Sequence, residues 1–380
     1  MSDLLRTRPA STAEMIGIFS DRATIDHALA FEAALARGEA AEGLIAQESA
    51  DAIAAACAGI AIDPADLAEE AALAGTLAIP LVRRLRAALS GEAATTLHKS
   101  ATSQDVADTI LMRQVVAAAR LLAADVKRAR NALCALAERY VATPAVGRTL
   151  LQDALPIGFG ARLAQAAAGI DNAARRLDAE VAANAKIQFG GAAGTRAGLD
   201  GKGVAVARRM AEELGLATGV PWHARRVGVA AIASALGILI GALGKLARDV
   251  SLLAQNAVGE AREPAIPGRG GSSAMAHKRN PTGCQVALSA SIRAPGLVAS
   301  ILAGLPQEEE RGLGGWQAEG PALADLFLLA AGSASAMATV AEGLEIDEVA
   351  IARNLESAGL GSDIGESEVI VAAILAHHKD

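Results

Sequence analysis

From Asp105 to Val141 the chain reads DVADTILMRQVVAAARLLAADVKRARNALCALAERYV, a run with neither glycine nor proline. Val106, Ile110, Val115, Leu122, Val126, Leu133 and Leu136 recur along it at helix-like spacings. At 1.5 Å per residue such a helix runs roughly 55 Å, far longer than an average globular helix. Pro144 and Gly147 end it. A rod of that length points to other long helices beside it, and the flanking sequence supplies them.

Towards the N-terminus, Asp21 to Ala36 reads as a helix with Ser20 as N-cap and Gly38 as its stop. Glu48 to Ala56 follows, Pro64 opens a short helix, and Pro80 enters another with Leu81, Leu85 and Leu89 on one face. Gly91 closes this first region. Towards the C-terminus, helical patterns run from about Phe159 to Lys186, Arg225 to Gly259 and Pro281 to Leu302. No strand alternation is long enough to build a sheet, and there is no internal repeat. The fold class expected is therefore all-α, an elongated bundle of long helices. The division expected is an N-terminal helical domain over 1–97, a central long-helix bundle over 98–335 and a short C-terminal helical domain over 336–380.

Composition agrees. Of 380 residues, 52% are hydrophobic and only 2% aromatic, so the core must be filled by Ala, Leu, Val and Ile, which suits closely packed helices. The net charge of −7 comes without a basic stripe or interleaved aromatics, which argues against nucleic acid. Cys57, Cys134 and Cys284 are scattered without CxxC spacing, as expected of reduced thiols in a cytoplasmic protein, and the first residues lack a signal-peptide pattern. Val227 to Gly244 carries no charge and approaches the length of a membrane span. It continues into Leu246, Val250 and Leu253 at helical spacing, so it is read as the central member of a bundle, with no membrane partner.

Four polar stretches rich in Gly, Ser or Thr interrupt the helices: His98–Asp108, Gly147–Gly160, Gln188–Gly203 and Glu263–Pro281. Loops at the ends of rigid helices are where a scaffold can converge catalytic groups. The last holds Gly271-Ser272-Ser273-Ala274-Met275-Ala276-His277-Lys278-Arg279-Asn280-Pro281, a flexible loop with hydroxyls, an imidazole, cations and an amide, ending where proline can start a helix. In His98-Lys99-Ser100-Ala101-Thr102-Ser103-Gln104-Asp105, Thr102 and Ser103 stand beside the free N–H groups of the long helix, suited either to N-capping or to a carboxylate ligand. Gly147-Arg148-Thr149-Leu150-Leu151-Gln152-Asp153 is the third such segment. Gly201-Lys202 lacks the remainder of a P-loop, the glycines near Gly268 follow no strand, and histidines pair only at His377-His378. Neither a metal nor an organic cofactor is expected.

These motifs resemble those of the fumarase/aspartase superfamily, and most closely its bacterial 3-carboxy-cis,cis-muconate cycloisomerase branch. The Gly271–Pro281 loop is similar to the superfamily signature, with Ala276 in place of a proline. The TSQD segment has the cycloisomerase form, with Ser100 replacing the usual glycine. The stretches Gln188–Thr195, Pro221-Trp222-His223 with Arg226, Gly244–Val250 and Glu310–Glu319 resemble the same branch, although Glu309 replaces a common His. In the third segment lyases place a His where Leu150 stands, and many cycloisomerases place one where Asp153 stands; the Glu that pairs with the lyase His is here Gln285.

The resemblance implies lactone formation, in which a substrate carboxylate adds to a double bond and a proton goes to the carbon beside another carboxylate. It implies Ser272 as the catalytic serine, with His98 as a possible alternative proton donor, and Lys278 with Asn280 at the substrate's carboxylate. Thr102, Ser103, Arg148, Thr149, Gln152 and Arg311 are the further substrate-binding candidates. It also implies a small polycarboxylate substrate, a truncated third domain and a homotetramer whose active sites are shared between subunits. Two alternatives stay open at this point: a C–N lyase of the adenylosuccinate-lyase kind, and a non-catalytic member that keeps the bundle.

Overall fold

The computed structural model describes residues 4–275 and 278–377; Ala276, His277 and His378, singled out above, lie outside the described residues. After two short helices, Leu4–Thr7 and Ala13–Ile18, the chain forms α1 (Asp21–Ala41), α2 (Gln47–Gly59), α3 (Pro64–Ala74) and α4 (Ala78–Ala87). The long helix α5 (Ser103–Arg139) follows, then strands β1 (Pro144–Thr149) and β2 (Gln152–Gly158). Next come α6 (Phe159–Asn184), α7 (Gly203–Leu214), α8 (Val227–Leu253), α9 (Thr282–Ala303), α10 (Gly315–Glu342), α11 (Glu348–Ser357) and α12 (Ser367–Ala376).

Helices α5, α6, α8, α9 and α10 pack on one another as the expected bundle. Its core runs through Met112, Val115, Leu122 and Leu133 of α5, Leu163 and Ile170 of α6, Leu236, Leu239, Leu243 and Leu246 of α8, and Leu323, Leu326 and Phe327 of α10. Small residues set the spacing. A Cβ on Gly244 of α8 would sit 2.6 Å from the Ser291 Cβ of α9, a contact that real side chains do not make. By length and composition alone α8, α9 and α10 are apolar enough to cross a membrane. In this chain α8 and α10 are mostly covered by neighbouring helices, but α9 has only 22% of its apolar window buried.

A second core lies at the base of α5. Ile25, Phe31 and Leu35 of α1 meet Ile53 of α2, Leu81 and Leu85 of α4, and Val106 and Ile110 of α5. It also recruits Ile187, Phe189, Val206 and Met210, from a segment well beyond residue 97.

Four expectations need correction. Gly38 does not stop α1; it lies inside the helix, where a Cβ would come within 3.3 Å of Val206 Cγ1, so the glycine admits α7. Gly91 opens a short helix, Gly91–Thr96, instead of closing the region. The polar stretch after Pro144 is not a loop but an antiparallel hairpin, with Arg148 opposite Asp153 and Thr149 opposite Gln152. A second small ribbon pairs Ala261–Arg262 with Glu345–Ile346. Finally, α10 runs unbroken through residue 335, where a domain boundary had been expected.

Candidate active site

The first turn of α5 organises a buried polar assembly. Asp105 is fully buried, and its carboxylate accepts four donors. Gly190 N–H (2.9 Å) and the His223 ring Nε2 (2.7 Å) meet Oδ1, while Gly191 N–H (2.9 Å) and Thr102 N–H (3.0 Å) meet Oδ2. Gly191 has φ +71°, and a Cβ there would stand 2.6 Å from Ser100 O. Only glycine suits that backbone. One carboxylate therefore ties the helix start, the glycine loop and the Trp222-His223 turn together.

One turn along α5, Asp108 does the same for the bundle. Arg226, 1% exposed, donates to both Asp108 oxygens (2.7 and 2.8 Å) and through Nε to Glu319 Oε2 (2.9 Å). Its guanidinium lies 4.6 Å from the Trp222 ring centroid. Burial alone would lower the Arg226 pKa, but the two carboxylates outweigh it and hold the pKa above the usual arginine value. Gln188 Nε2 donates to Asp108 (3.1 Å), and Gln188 N–H donates to Thr109 Oγ1 (3.1 Å). A buried charge group satisfied on all sides is rigid, as a platform for reacting groups needs to be.

On this platform Thr102 is half-buried. Its own N–H is capped by Asp105, and its Oγ1 accepts from Arg311 Nη1 at 2.6 Å. Arg311 also reaches Ala192 O of the glycine loop (3.4 Å). Ser103, next in sequence, lines a cavity of about 510 Å³ with Asp108, Gln114, Trp316 and Gln317. Thr102 and Arg311 are thus brought together, while Ser103 faces this neighbouring cavity. His98 sits four residues before Thr102 at φ +61°, with Nδ1 2.7 Å from Glu32 Oε1.

The signature loop forms a second group. Ser272 Oγ accepts the N–H groups of Met275 (3.1 Å) and Ala274 (3.3 Å). Asn280 closes the loop base, its N–H donating to Gly270 O (2.8 Å) and its Nδ2 to Gly271 O (3.2 Å). Buried Glu263 accepts from Gly283 N–H (3.0 Å) and Cys284 N–H (2.6 Å), capping α9, and Arg279 pairs with Glu345 (3.0 Å). Lys278 is exposed, and its ammonium has no partner among the described residues. With Asn280, Arg262 and Arg269 it lines a cleft of about 890 Å³. Gln285 faces a separate cleft of about 680 Å³ with Asn280, Ser289 and Arg293.

The hairpin forms the third. Thr149 and Gln152 face each other at its exposed tip, and the two turn residues Leu150 and Leu151 have φ +51° and +64°. Leu150 is 97% exposed. Arg148, expected to bind substrate, is already engaged: it donates to Glu260 (2.7 and 3.1 Å) and stands 3.3 Å from Asp153. Asn354 Nδ2 shares Glu260 Oε1 at 2.8 Å. The Arg148 guanidinium thus ties the hairpin to Glu260.

Among the described residues, no side-chain hydrogen bond joins the Thr102, Ser272 and Thr149 groups within one chain. Sequence reading did not assign His223, Glu32, Glu319, Glu260 or Glu263. His223 and Glu319 lay in stretches quoted for their resemblance, and the other carboxylates carried no local signal. Among the described residues no three His, Cys, Asp or Glu side chains converge as metal ligands.

Comparison with known proteins places the architecture. A family model described as "Lyase" matches residues 7–296. A 3-carboxy-cis,cis-muconate cycloisomerase of Bradyrhizobium diazoefficiens is 46% identical over 351 residues, covering 91% of this chain and 78% of that protein. One from Pseudomonas aeruginosa is 44% identical, covering 96% of this chain and 82% of that protein. The crystal structure of the 3-carboxy-cis,cis-muconate lactonizing enzyme from Pseudomonas putida superposes with a TM-score of 0.92 at 35% identity, covering 99% of each chain. The chain belongs to this lyase family, the fumarase/aspartase superfamily, and within it to the 3-carboxy-cis,cis-muconate cycloisomerase branch.

Proposed function

We propose that this protein closes 3-carboxy-cis,cis-muconate to 4-carboxymuconolactone, a step of protocatechuate catabolism by the β-ketoadipate route. The observation that carries the reading is the half-buried Thr102–Arg311 pair on a buried charged platform, in a chain 46% identical to a cycloisomerase. The nucleophile belongs to the substrate, so the enzyme has to fold that carboxylate onto the double bond and supply one proton. The difficult species is the enolate-like form of the carboxylate beside the protonated carbon, which fixed cations and donors stabilise. Lys278 and Asn280 suit that charge, with Thr102, Ser103 and Arg311 on the remaining carboxylates. Ser272 and His98 are the two candidates to deliver the proton.

Thr149 and Gln152 act from the hairpin tip, and Arg148 positions that hairpin through Glu260. Because the three groups lie apart in one chain, the reading includes a homotetramer in which each site draws on several subunits. The exposed apolar side of α9 and the exposed Leu150, Leu151 and Leu155 support it, since such patches mark contact surfaces. The division proposed is three helical parts, with the last starting after Glu342, where α10 ends. Reduced thiols and a cytoplasmic location complete the proposal.

The test is the ultraviolet absorbance of 3-carboxy-cis,cis-muconate mixed with the protein at a concentration where sedimentation gives the tetramer. Catalytic decay of the diene band supports the reading, and an unchanged band with a folded tetramer refutes it.

A further inference from the structure

The ring of His98 is backed by a carboxylate that no motif announces. Glu32, on α1, lies 66 positions away in sequence, and its side chain is fully buried. Its Oε1 stands 2.7 Å from His98 Nδ1, the length of a charge-assisted hydrogen bond. The other ring nitrogen, Nε2, has no partner among the described residues, and the side chain keeps 17% of its surface exposed. His98 and Ser100 both take left-handed backbone, at φ +61° and +55°, within the short turn that ends at Thr102. The ring and the Thr102–Arg311 pair thus belong to one turn of chain.

We propose that Glu32 is a positioning residue that fixes Nδ1–H of His98 and so presents a charged imidazole, Nε2–H outward, as the proton donor of the lactonisation. This rests on the functional reading above and deepens it. Proton balance is simple: Nε2–H passes its proton to the carbon beside the substrate carboxylate as the new C–O bond forms, and the neutral ring regains a proton from solvent. Ser272, whose hydroxyl already accepts two N–H groups of its own loop, is then a substrate-orienting group.

The surroundings favour the charged ring. Burial alone would lower the His98 pKa, but the Glu32 carboxylate, by charge and by hydrogen bond, outweighs it and holds the pKa above the ordinary histidine value. Asp105 on α5 adds to that effect, and Arg86 on α4 opposes it. Next to Glu32 lie Glu39, Lys99 and the Cys57 thiol. Glu39 is 1% exposed, neither of its oxygens has a partner, and burial pushes its pKa up to about 8. Near neutrality it carries its own proton and does not compete with Glu32 for the ring.

The experiment follows the ring of His98 by NMR in protein carrying isotope-labelled histidine, assigned with His98→Gln, alongside kcat and KM as functions of pH. In the wild type, His98 should titrate above the ordinary value of about 6.5, with Nδ1 protonated throughout. The rate kcat should fall as pH rises through that midpoint, and His98→Gln should abolish this limb. Glu32→Gln should lower both the NMR midpoint and the kcat limb by about one unit or more, the usual effect of a neighbouring charge, while KM changes little. A wild-type midpoint below 6.5, a flat kcat profile through neutrality, or a limb unmoved in folded Glu32→Gln overturns the inference. The first two are read on wild-type protein, so they stand even if the variant does not fold. The titration needs no substrate; absence of turnover with a raised midpoint would therefore sink the functional reading and leave the Glu32–His98 pairing intact.

Discussion

Replacing Asp105 with asparagine changes one atom of the platform and should cost far more than its size suggests. The carboxylate accepts four buried donors, two at each oxygen, from Gly190, Gly191, Thr102 and His223. Asparagine keeps one oxygen and turns an NH₂ towards the other pair. If that NH₂ faces His223, the ring can switch tautomer and accept, but Gly190 N–H is left without a partner. If it faces the other way, Gly191 and Thr102 both lose theirs. Each buried unpaired donor costs about 1–3 kcal/mol, and the surviving bonds weaken by several tenths each once the acceptor is neutral. The expected loss is about 4 kcal/mol, with about 2 kcal/mol as the floor. Thr102 and the glycine loop carrying Ala192 should shift together, lowering kcat/KM by roughly 10²-fold through misplaced contacts. The assay is urea unfolding at fixed protein concentration, since any subunit association would add to apparent stability. Glu70→Gln, which breaks only the surface pairs with Arg83 and Arg84, is the control and should leave the unfolding midpoint nearly unchanged. An Asp105→Asn loss below about 1 kcal/mol, with unchanged kinetics, would refute the claim that this carboxylate ties three segments together.

Three further outcomes are expected. Lys278→Met should impair both kcat and KM, because on the proposed function the same cation would hold the ground-state carboxylate and the charged intermediate; a variant within about twofold of wild type would make the loop structural. Glu39→Gln tests the buried acid through stability. Its folded pKa of about 8 lies above the unfolded value, so its contribution is full in acid and is lost as pH rises towards 8. The glutamine variant removes that loss and should gain about 3 kcal/mol over wild type between pH 5 and pH 8, whereas equal pH profiles would contradict the burial. Ser100→Gly should stabilise by roughly 0.5–1 kcal/mol, because it removes a serine held in left-handed backbone; a loss of stability would show that Ser100 is held by contacts that outweigh its backbone strain.

The bundle was legible because its helices are long, so a pattern repeated over many turns of α5 or α8 outweighs local exceptions. Short-range punctuation was less dependable. Gly38 reads as a stop, yet it admits Val206 of a helix about 170 residues away, which no local pattern encodes. The hairpin at Arg148 escaped because its strands are short and its turn is Leu150-Leu151, without the asparagine or glycine that usually takes positive φ. Motifs located Thr102, Arg311, Ser272, Lys278 and Asn280 in the chain, but only the structure separates them into groups. The buried carboxylates were the least readable part. Glu32, Glu260, Glu263 and Glu319 look like solvated charges in sequence, and the identity of each partner depends on packing between distant helices. The same holds for the partner of Arg148, since no local pattern announces its pairing with Glu260.

The most direct test of the account is the reaction itself, run in D₂O with 3-carboxy-cis,cis-muconate and followed by NMR. The account predicts one product, 4-carboxymuconolactone, with a single deuteron in the methylene beside its carboxylate and no small unsaturated acid released. Loss of the substrate with release of a fragment, or a lactone without deuterium at that carbon, would contradict it.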